Sequence, residues 1–150
     1  LRLTIVLCMM VASASAATNP FRVECHGDTL EPGTEGMIEV RVVVPSGYHV
    51  YRDMMSVEVL EAGGLTLGEA SFPPGIFKPD PANPGTEREQ FDMDVIVQVP
   101  VRAPSEVAQY SAWMKVRYQG CKQSLCYMPQ VEEVEARVRV ARRGIRKKSR

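Results

Sequence analysis

Residues 110–118 read YSAWMKVRY, with an apolar or aromatic side chain at every second position. Because successive side chains of a β-strand point to opposite faces of its sheet, this period of two predicts a strand with one buried face. The same alternation recurs on either side of this segment, at 37–44, 91–99 and 134–140. Short alternating strands separated by turn residues are typical of an antiparallel β-sandwich. No segment has the spacing of an amphipathic helix, so we predict an all-β fold.

Two features of the pattern lead to more detailed expectations. The run at 91–99 predicts one continuous strand whose buried face carries Phe91, Met93, Val95, Val97 and Val99. Residues 71–90, by contrast, contain five prolines and two glycines, which predicts a long loop between strands. Its prolines restrict the backbone, so the loop is a candidate cover for a neighbouring site, with an ordinary surface loop as the alternative.

The composition of the 150 residues suits one domain with a hydrophobic core. The formal net charge is zero, but six of the eighteen basic residues lie at 142–150, which leaves twelve basic against eighteen acidic residues elsewhere. Because the excess positive charge is confined to one terminus, no nucleic-acid partner is expected. Residues 141–150 have no apolar face and are predicted to form a disordered basic tail after a domain at 17–140.

The first sixteen residues have the three parts of a secretory signal peptide. Arg2 supplies the positive charge, residues 3–12 are mostly apolar, and Ala14-Ser15-Ala16 matches a cleavage site. The apolar run is too short to span a bilayer. We therefore predict a signal peptide at 1–16 and an exported protein with no stable membrane insertion.

Cys121 and Cys126 follow the central strand in a short polar loop. Disulfides persist outside the cytoplasm, so these two residues are predicted to pair. A bond that closes so small a loop stabilises a fold by about 2 kcal/mol, near the bottom of the usual range. The pair is therefore a candidate for redox reactivity rather than a structural staple. Cys25, in an alternating segment, is predicted to be a small buried apolar residue.

Residues 118–121 (YQGC) and 126–129 (CYMP) resemble the hallmark of the N-terminal periplasmic domain of the thiol:disulfide interchange protein DsbD. Residues 47–53 (GYHVYRD) and 72–77 (FPPGIF) are similar to two further stretches of that family in order and spacing. The resemblance covers most of the chain after the predicted signal peptide. It implies an immunoglobulin-like antiparallel β-sandwich that acts as a thiol–disulfide exchange module.

The resemblance also implies roles and partners. Cys126 would form the mixed disulfide with a partner, and Cys121 would resolve it. The partners would be thioredoxin-fold proteins: an electron-donor domain, disulfide isomerases and thiol proteins of cytochrome c maturation. The chain would thus be a periplasmic component of a protein-disulfide reductase system, with no cofactor and no metal.

Five further residues are candidates for lining the site. Tyr51 matches a family aromatic, and Asp80 falls where the family's cap region carries an acidic residue. Tyr118 and Tyr127 flank the cysteines, either as site-lining residues or as core or rim aromatics. His49 stands where a tyrosine is more usual in the family.

The chain departs from the family pattern close to the cysteines. The spacer at 122–125 is one residue shorter than is common, and Met128 replaces the first proline of the motif. Residues 81–84, at the tip of the predicted cap, lack the usual aromatic. The chain also ends after this domain, which leaves open a free-standing homologue or a fragment of a longer protein.

Two other functions stay open from the sequence. The first is a non-redox, immunoglobulin-like binding or chaperone-like domain in which the Cys121–Cys126 bond is structural. The second is a copper-binding domain, suggested by eight methionines together with His26 and His49. Copper is disfavoured because several methionines fall within strand patterns and no compact spacing of Met, His and Cys ligands is present.

Overall fold

A computed structural model of the chain describes residues 18–143. These residues form thirteen β-strands and a single turn of 3-10 helix at Arg52–Met54. The strands are β1 (Arg22–Gly27), β2 (Thr29–Leu30), β3 (Glu35–Val43), β4 (His49–Tyr51), β5 (Ser56–Glu61), β6 (Thr66–Leu67), β7 (Ile76–Pro79), β8 (Glu87–Phe91), β9 (Val95–Arg102), β10 (Gln109–Tyr118), β11 (Gly120–Lys122), β12 (Leu125–Cys126) and β13 (Gln130–Val140). Between residues 18 and 143 there is no α-helix, and the predicted all-β fold is confirmed.

The strands form three sheets. The strand order is β1-β3-β9-β6 in the first sheet, β2-β13-β10-β5 in the second and β12-β11-β4-β8-β7 in the third. Their pairings are antiparallel, except that β2 runs parallel to β13. The first two sheets supply most of the core, and the third carries Cys121 and Cys126 at its β11–β12 end. The predicted antiparallel β-sandwich is therefore confirmed.

The core consists of the alternating faces of β3, β9, β10 and β13. The longest registers are those of β10 with β13, over ten positions, and of β3 with β9, over eight. The fully buried side chains include Ile38, Val40, Val42, Val95, Val97, Val99, Ala112, Met114, Val116, Ala136 and Val138. Burying one Val or Ile side chain contributes about 1.5–3 kcal/mol, so these four strands dominate the stability of the fold.

The predicted continuous strand at 91–99 is wrong at Met93, whose side chain is 74 % exposed. β8 ends two residues before Met93 and β9 begins two residues after it, so the chain leaves the third sheet there and enters the first. Asp94 fixes this crossing, because its carboxylate accepts a hydrogen bond from the Val44 N–H (2.9 Å) and pairs with Arg41. The alternation of the sequence continues across the bend, but the strand does not.

The predicted long loop at 71–90 is also wrong, because much of it forms the β7–β8 hairpin. β7 pairs with β8 over four positions, and the turn between them occupies 80–86. β7 is the edge strand of the third sheet. An edge strand leaves one side of its backbone unpaired, and a sheet tolerates proline there, which explains Pro79 at the end of β7.

Cys25 lies in β1, where it is half-buried rather than fully buried and packs against the core. Burial raises the pKa of its thiol to about 11. The thiol is therefore protonated and a poor nucleophile at neutral pH.

The predicted signal peptide at 1–16 and residues 144–150 of the predicted tail lie outside the described residues. Within 18–143, none of the helical structure has the length and apolar character needed to cross a membrane.

Candidate functional site

Cys121 and Cys126 form a disulfide between the paired strands β11 and β12, as predicted. The two residues lie directly opposite each other, with their Cα atoms 4.0 Å apart. The neighbouring backbone hydrogen bond runs from the Tyr127 N–H to the Gly120 carbonyl oxygen (2.9 Å), so the cysteines occupy a non-hydrogen-bonded position of the ladder. Facing Cα atoms come closest at such positions, which allows a hairpin to hold a disulfide there.

A two-residue turn, Gln123-Ser124, joins the two strands. Gln123 has a φ of 54°, in the left-handed region that favours glycine. A non-glycine residue in this region costs on the order of 1 kcal/mol. The short spacer therefore forms a tight hairpin whose turn carries backbone strain.

The two cysteines differ in their access to solvent. Cys121 is fully buried, whereas Cys126 is exposed at the end of the sheet. Leu125 and Met128, close to Cys126 on either side in the chain, are 77 % and 79 % exposed. An approaching molecule therefore meets Cys126 first, next to two apolar side chains.

Four aromatic residues pack on the core side of the hairpin, and we call them the aromatic cluster: Phe21, Tyr48, Tyr118 and Tyr127. Phe21 is at the centre, with its ring centroid 5.5–6.1 Å from the other three. A Cβ atom at Gly120 would lie 2.1 Å from the Phe21 ring, so the absence of a side chain lets this ring pack against β11. Aromatic pairs at these distances contribute about 0.5–1.5 kcal/mol each beyond the area they bury.

Tyr118 and Tyr127 support the hairpin from the core side. Tyr118 is 1 % exposed, and its hydroxyl accepts a hydrogen bond from Asn19 (2.8 Å) and donates one to Glu132 (2.7 Å). Burial, reinforced by the bond to Glu132, raises the pKa of this hydroxyl well above its ordinary value. The pKa of Tyr127 is also raised, chiefly by the neighbouring Tyr48 hydroxyl. Of the two interpretations of these tyrosines, the contacts favour core and rim aromatics.

The third sheet has its aromatic cluster on one face. On the other face, a row of polar side chains runs across neighbouring strands, starting at the disulfide. His49 is the partner of Cys121 in the register of β4 with β11, so the two side chains share that face. Extending the register of β4 with β8 by one residue places Asp92 opposite His49. We call Cys121, His49 and Asp92 the Cys–His–Asp row.

The electrostatic surroundings of His49 keep its imidazole neutral at pH 7. Burial is the largest influence and lowers the pKa below its ordinary value of 6.5. Asp92 opposes this shift, and the cations Lys78 and Arg88 add to it. Desolvation would raise the pKa of Asp92, but hydrogen bonds from Lys78 and Gln90 outweigh it and the pKa of that carboxylate is lowered. The His49 Nε2 atom is buried and has no hydrogen-bond partner among the described residues.

Tyr51 packs against His49, so two of the predicted site-lining residues lie together beside Cys121. The Tyr51 ring is 5.0 Å from the imidazole in an edge-to-face arrangement. The Arg88 guanidinium lies 3.8 Å above the Tyr51 ring and pairs with Asp53 (2.9 Å). A cation–π contact of this kind contributes about 0.5–1 kcal/mol and fixes the orientation of the Tyr51 ring.

Asp80 lies in the turn of the β7–β8 hairpin. Its carboxylate accepts hydrogen bonds from the Asn83 side chain (2.8 Å) and the Ala82 N–H (2.9 Å), and both lower its pKa. These contacts stay within the turn and hold its shape. A site-lining role for Asp80 stays a prediction.

Sequence reasoning missed four residues of this region: Phe21, Tyr48, Arg88 and Asp92. The alternation did place Asp92 on the face opposite Phe91, which was a usable signal. Nothing in the sequence indicates which strand lies beside β8, so the neighbour of Asp92 could not be named. Nor did any pattern indicate that Phe21 lies under the hairpin.

A cavity of about 570 Å³ lies away from the disulfide. Its lining includes residues of β3, β6 and β9, and none from β4, β11 or β12. It therefore takes no part in the geometry around the cysteines.

Comparisons with known proteins identify the family of the chain. Residues 18–137 match the family "Thiol:disulfide interchange protein DsbD, N-terminal". No curated protein matches the chain. The solved complex between the DsbD N-terminal and PilB N-terminal domains from Neisseria meningitidis is 23 % identical, with a TM-score of 0.53, and the match covers 84 % of this chain and 91 % of that one.

Two further solved structures are less similar in shape. The DsbD N-terminal domain of Neisseria meningitidis in the reduced form is 24 % identical, with a TM-score of 0.48 and coverage of 71 % of this chain and 78 % of that one. The seventh ScaB type I cohesin from Pseudobacteroides cellulosolvens is 12 % identical, with a TM-score of 0.47 and coverage of 87 % of this chain and 97 % of that one.

The family match includes both cysteines and all the strands of the third sheet. The similarity to the Neisseria meningitidis complex, at 23 % identity, bears on the fold alone and agrees with the predicted immunoglobulin-like β-sandwich. The chain therefore belongs to the family of N-terminal domains of the thiol:disulfide interchange protein DsbD.

Proposed function

We propose that this chain is a periplasmic thiol–disulfide exchange module that passes electron pairs through Cys121 and Cys126 to thioredoxin-fold partners. The observation that carries the proposal is the asymmetric hairpin disulfide, in which Cys126 is exposed and Cys121 is buried. Membership of a family described by thiol:disulfide interchange supports it. The predicted signal peptide at 1–16 would deliver the chain to the periplasm.

Exchange proceeds by attack of a thiolate on a disulfide sulfur. In the reduced chain, the Cys126 thiolate attacks a partner's disulfide, forms a mixed disulfide and releases one partner thiolate. Cys121 then attacks the Cys126 sulfur, which breaks the mixed disulfide and releases the second partner thiolate. The chain loses two electrons and two protons to become the Cys121–Cys126 disulfide, and the partner gains them to become a dithiol.

A donor dithiol reverses these steps and reduces the chain again. We propose that the donor is a thioredoxin-fold domain, and that the acceptors are disulfide isomerases or thiol proteins of cytochrome c maturation. The chain would then be one component of a protein-disulfide reductase system, using no cofactor beyond its own two sulfurs.

Exposed apolar side chains beside Cys126 support a protein as the partner. Leu125 and Met128 are each more than three-quarters exposed. Apolar side chains of this size gain free energy when a partner covers them. The solved complex of a DsbD N-terminal domain with a PilB N-terminal domain is an example of such a pairing in a related protein.

Thiol trapping tests the roles of the two cysteines. The reduced Cys121→Ser variant, mixed with an oxidised thioredoxin-fold protein and quenched with acid, should accumulate a mixed disulfide through Cys126, because the thiol assigned to resolve it is missing. The Cys126→Ser variant should capture no partner. Cys25→Ser is the matched control and should behave as the unmodified chain. Capture by Cys126→Ser would reverse the assignment.

The reduction potential separates this function from a non-redox domain with a structural disulfide. Structural disulfides of exported proteins have potentials below about −300 mV, whereas exchanging pairs lie above it. We expect the Cys121–Cys126 pair to equilibrate with glutathione or dithiothreitol at a potential above this limit. A potential well below it would favour the binding or chaperone-like alternative.

A further inference from the structure

The buried position of Cys121 conflicts with the chemistry that the proposed function requires of it. Cys121 is fully buried, and burial raises the pKa of a thiol because it disfavours the charged thiolate. In the second step, however, Cys121 has to attack as a thiolate. A base beside Cys121 would remove this conflict.

His49 is placed to be that base. The register of β4 with β11 pairs it directly with Cys121, and facing residues of neighbouring strands have Cβ atoms about 4.5–5.5 Å apart. Its Nε2 atom is buried and unpartnered among residues 18–143. A buried polar atom without a partner is unfavourable and rare in folded proteins, so it calls for a physical explanation.

The redox state of the hairpin supplies that explanation. A disulfide sulfur carries no hydrogen and cannot donate to the imidazole. Reduction gives Cys121 an S–H group, which is a weak hydrogen-bond donor. Reduction therefore gives the residue opposite His49 a group that can donate to a nitrogen.

We propose that His49 accepts the thiol proton of Cys121 on Nε2 while Cys121 attacks the mixed disulfide, an inference that rests on the proposed function. The S–H bond of Cys121 breaks and its proton moves to Nε2, while the sulfur's electron pair forms the bond to the Cys126 sulfur. The bond between Cys126 and the partner breaks, and the partner sulfur leaves with that electron pair. The imidazolium then returns its proton to the departing thiolate or to water.

The groups that face His49 suit a base that is neutral before the step and cationic after it. Asp92, which directly follows β8, stabilises the imidazolium. Arg88, from β8, and Lys78, from β7, act with burial to keep the pKa below 6.5, so the base is unprotonated at neutral pH. From its own strand, Tyr51 packs against the imidazole in an edge-to-face arrangement. A tyrosine at position 49, with an ordinary pKa of about 10, could not accept the proton in this way.

A two-phase chemical assay tests the inference. The chain is reduced in a background with the other two cysteines replaced (Cys8→Ser and Cys25→Ser) and mixed with 5,5′-dithiobis(2-nitrobenzoate), and thionitrobenzoate release is followed by stopped-flow absorbance. Attack by Cys126 releases the first thionitrobenzoate and attack by Cys121 releases the second, so the phases report capture and resolution separately. We expect the second phase to slow as the pH falls through the His49 pKa, below 6.5.

Variants of His49 supply the decisive comparison. His49→Phe keeps an aromatic ring beside Tyr51 but has no nitrogen, so it should leave the first phase unchanged and slow the second about 100-fold or more at pH 7. His49→Gln is the matched control, because an amide can hydrogen-bond to the thiol but cannot take its proton. It should be slow as well, and neither variant should keep the acid inflection.

Each contrary result has a distinct meaning. A full-rate second phase in His49→Gln would show that His49 acts only through packing or hydrogen bonding, and would overturn the inference. An unmodified chain whose second phase has no inflection below pH 6.5 would overturn it even if His49→Phe did not fold. A capture phase at full rate in Cys126→Ser would instead refute the proposed function, because Cys121 would then be the first attacking residue.

Discussion

Gly120 precedes the buried cysteine, and its missing side chain decides how closely the hairpin approaches the core. The Phe21 ring occupies the space that a Cβ atom would need. Neighbouring aromatic rings surround Phe21, so the ring has little freedom to move aside. One glycine thus couples the position of Cys121 to the packing of the aromatic cluster.

We predict that Gly120→Ala lowers the free energy of unfolding by about 1–3 kcal/mol, the usual range for overpacking a core. Urea denaturation of the oxidised chain measures this directly. Phe21→Leu in the same background should recover part of the lost stability, because the smaller side chain leaves room for the added Cβ atom. The double-mutant cycle then measures the coupling between the two positions. If the free energy of unfolding of Gly120→Ala stays within about 0.5 kcal/mol of that of the unmodified chain, the Phe21 ring does not exclude a Cβ atom at position 120.

Some residues of the site could be predicted from the sequence, and others could not. Cys121 and Cys126 lie close together in the chain, and the signal-peptide pattern predicted an exported protein in which they would pair. His49 was named because of the family pattern, but its pairing with Cys121 depends on the register of two strands that are distant in sequence. Asp92 and Phe21 are positioned by the same long-range pairing, and no local pattern determines it.

At the scale of the elements, the third sheet gathers the site from three separate parts of the chain. β11 and β12 bring the cysteines, β4 brings His49 and Tyr51, and the β7–β8 hairpin brings the charged groups beside them. The alternation of apolar and polar residues predicted β3, β9, β10 and β13, because each of these strands buries one face. It failed for β7 because an exposed edge strand that contains proline has no such face.

The turn of the β7–β8 hairpin should depend on the ionisation of Asp80. Because its pKa is lowered from 3.8 in the folded chain, the carboxylate's hydrogen bonds stabilise the turn above about pH 4. That contribution should be lost as the pH falls through the folded pKa, below 3.8. The amide resonance of Ala82, whose N–H donates to Asp80, should titrate with this midpoint in an NMR experiment.

Asp80→Asn is the control for this titration, since it keeps an acceptor oxygen but does not ionise. The Ala82 resonance should then stay constant over the same range, with the hairpin intact. A midpoint above 3.8 in the unmodified chain would contradict the hydrogen-bonding role given to the Asp80 carboxylate.

At the scale of the whole molecule, the disulfide contributes little compared with the core between the first two sheets. Reducing the Cys121–Cys126 bond should lower the free energy of unfolding by about 2 kcal/mol, because so short a loop restricts the unfolded chain only slightly. The reduced chain should therefore stay folded, as an exchange module must. Urea curves with and without reductant measure the difference.

The Cys121→Ser, Cys126→Ser double variant controls for reductant effects and should match the reduced chain. A reduced chain that unfolds without denaturant would contradict the prediction. It would mean that the bond is a structural requirement of the fold, as in the non-redox alternative.

The burial of Cys121 has a kinetic consequence for the proposed exchange. Within the described pair only Cys126 is exposed, so donor and acceptor must both react at its sulfur and cannot be bound there at the same time. Steady-state turnover should then follow a ping-pong order, with parallel lines in double-reciprocal plots and inhibition by an excess of either protein. The maximum flux of electron pairs would be limited by how quickly one protein leaves and the next one binds.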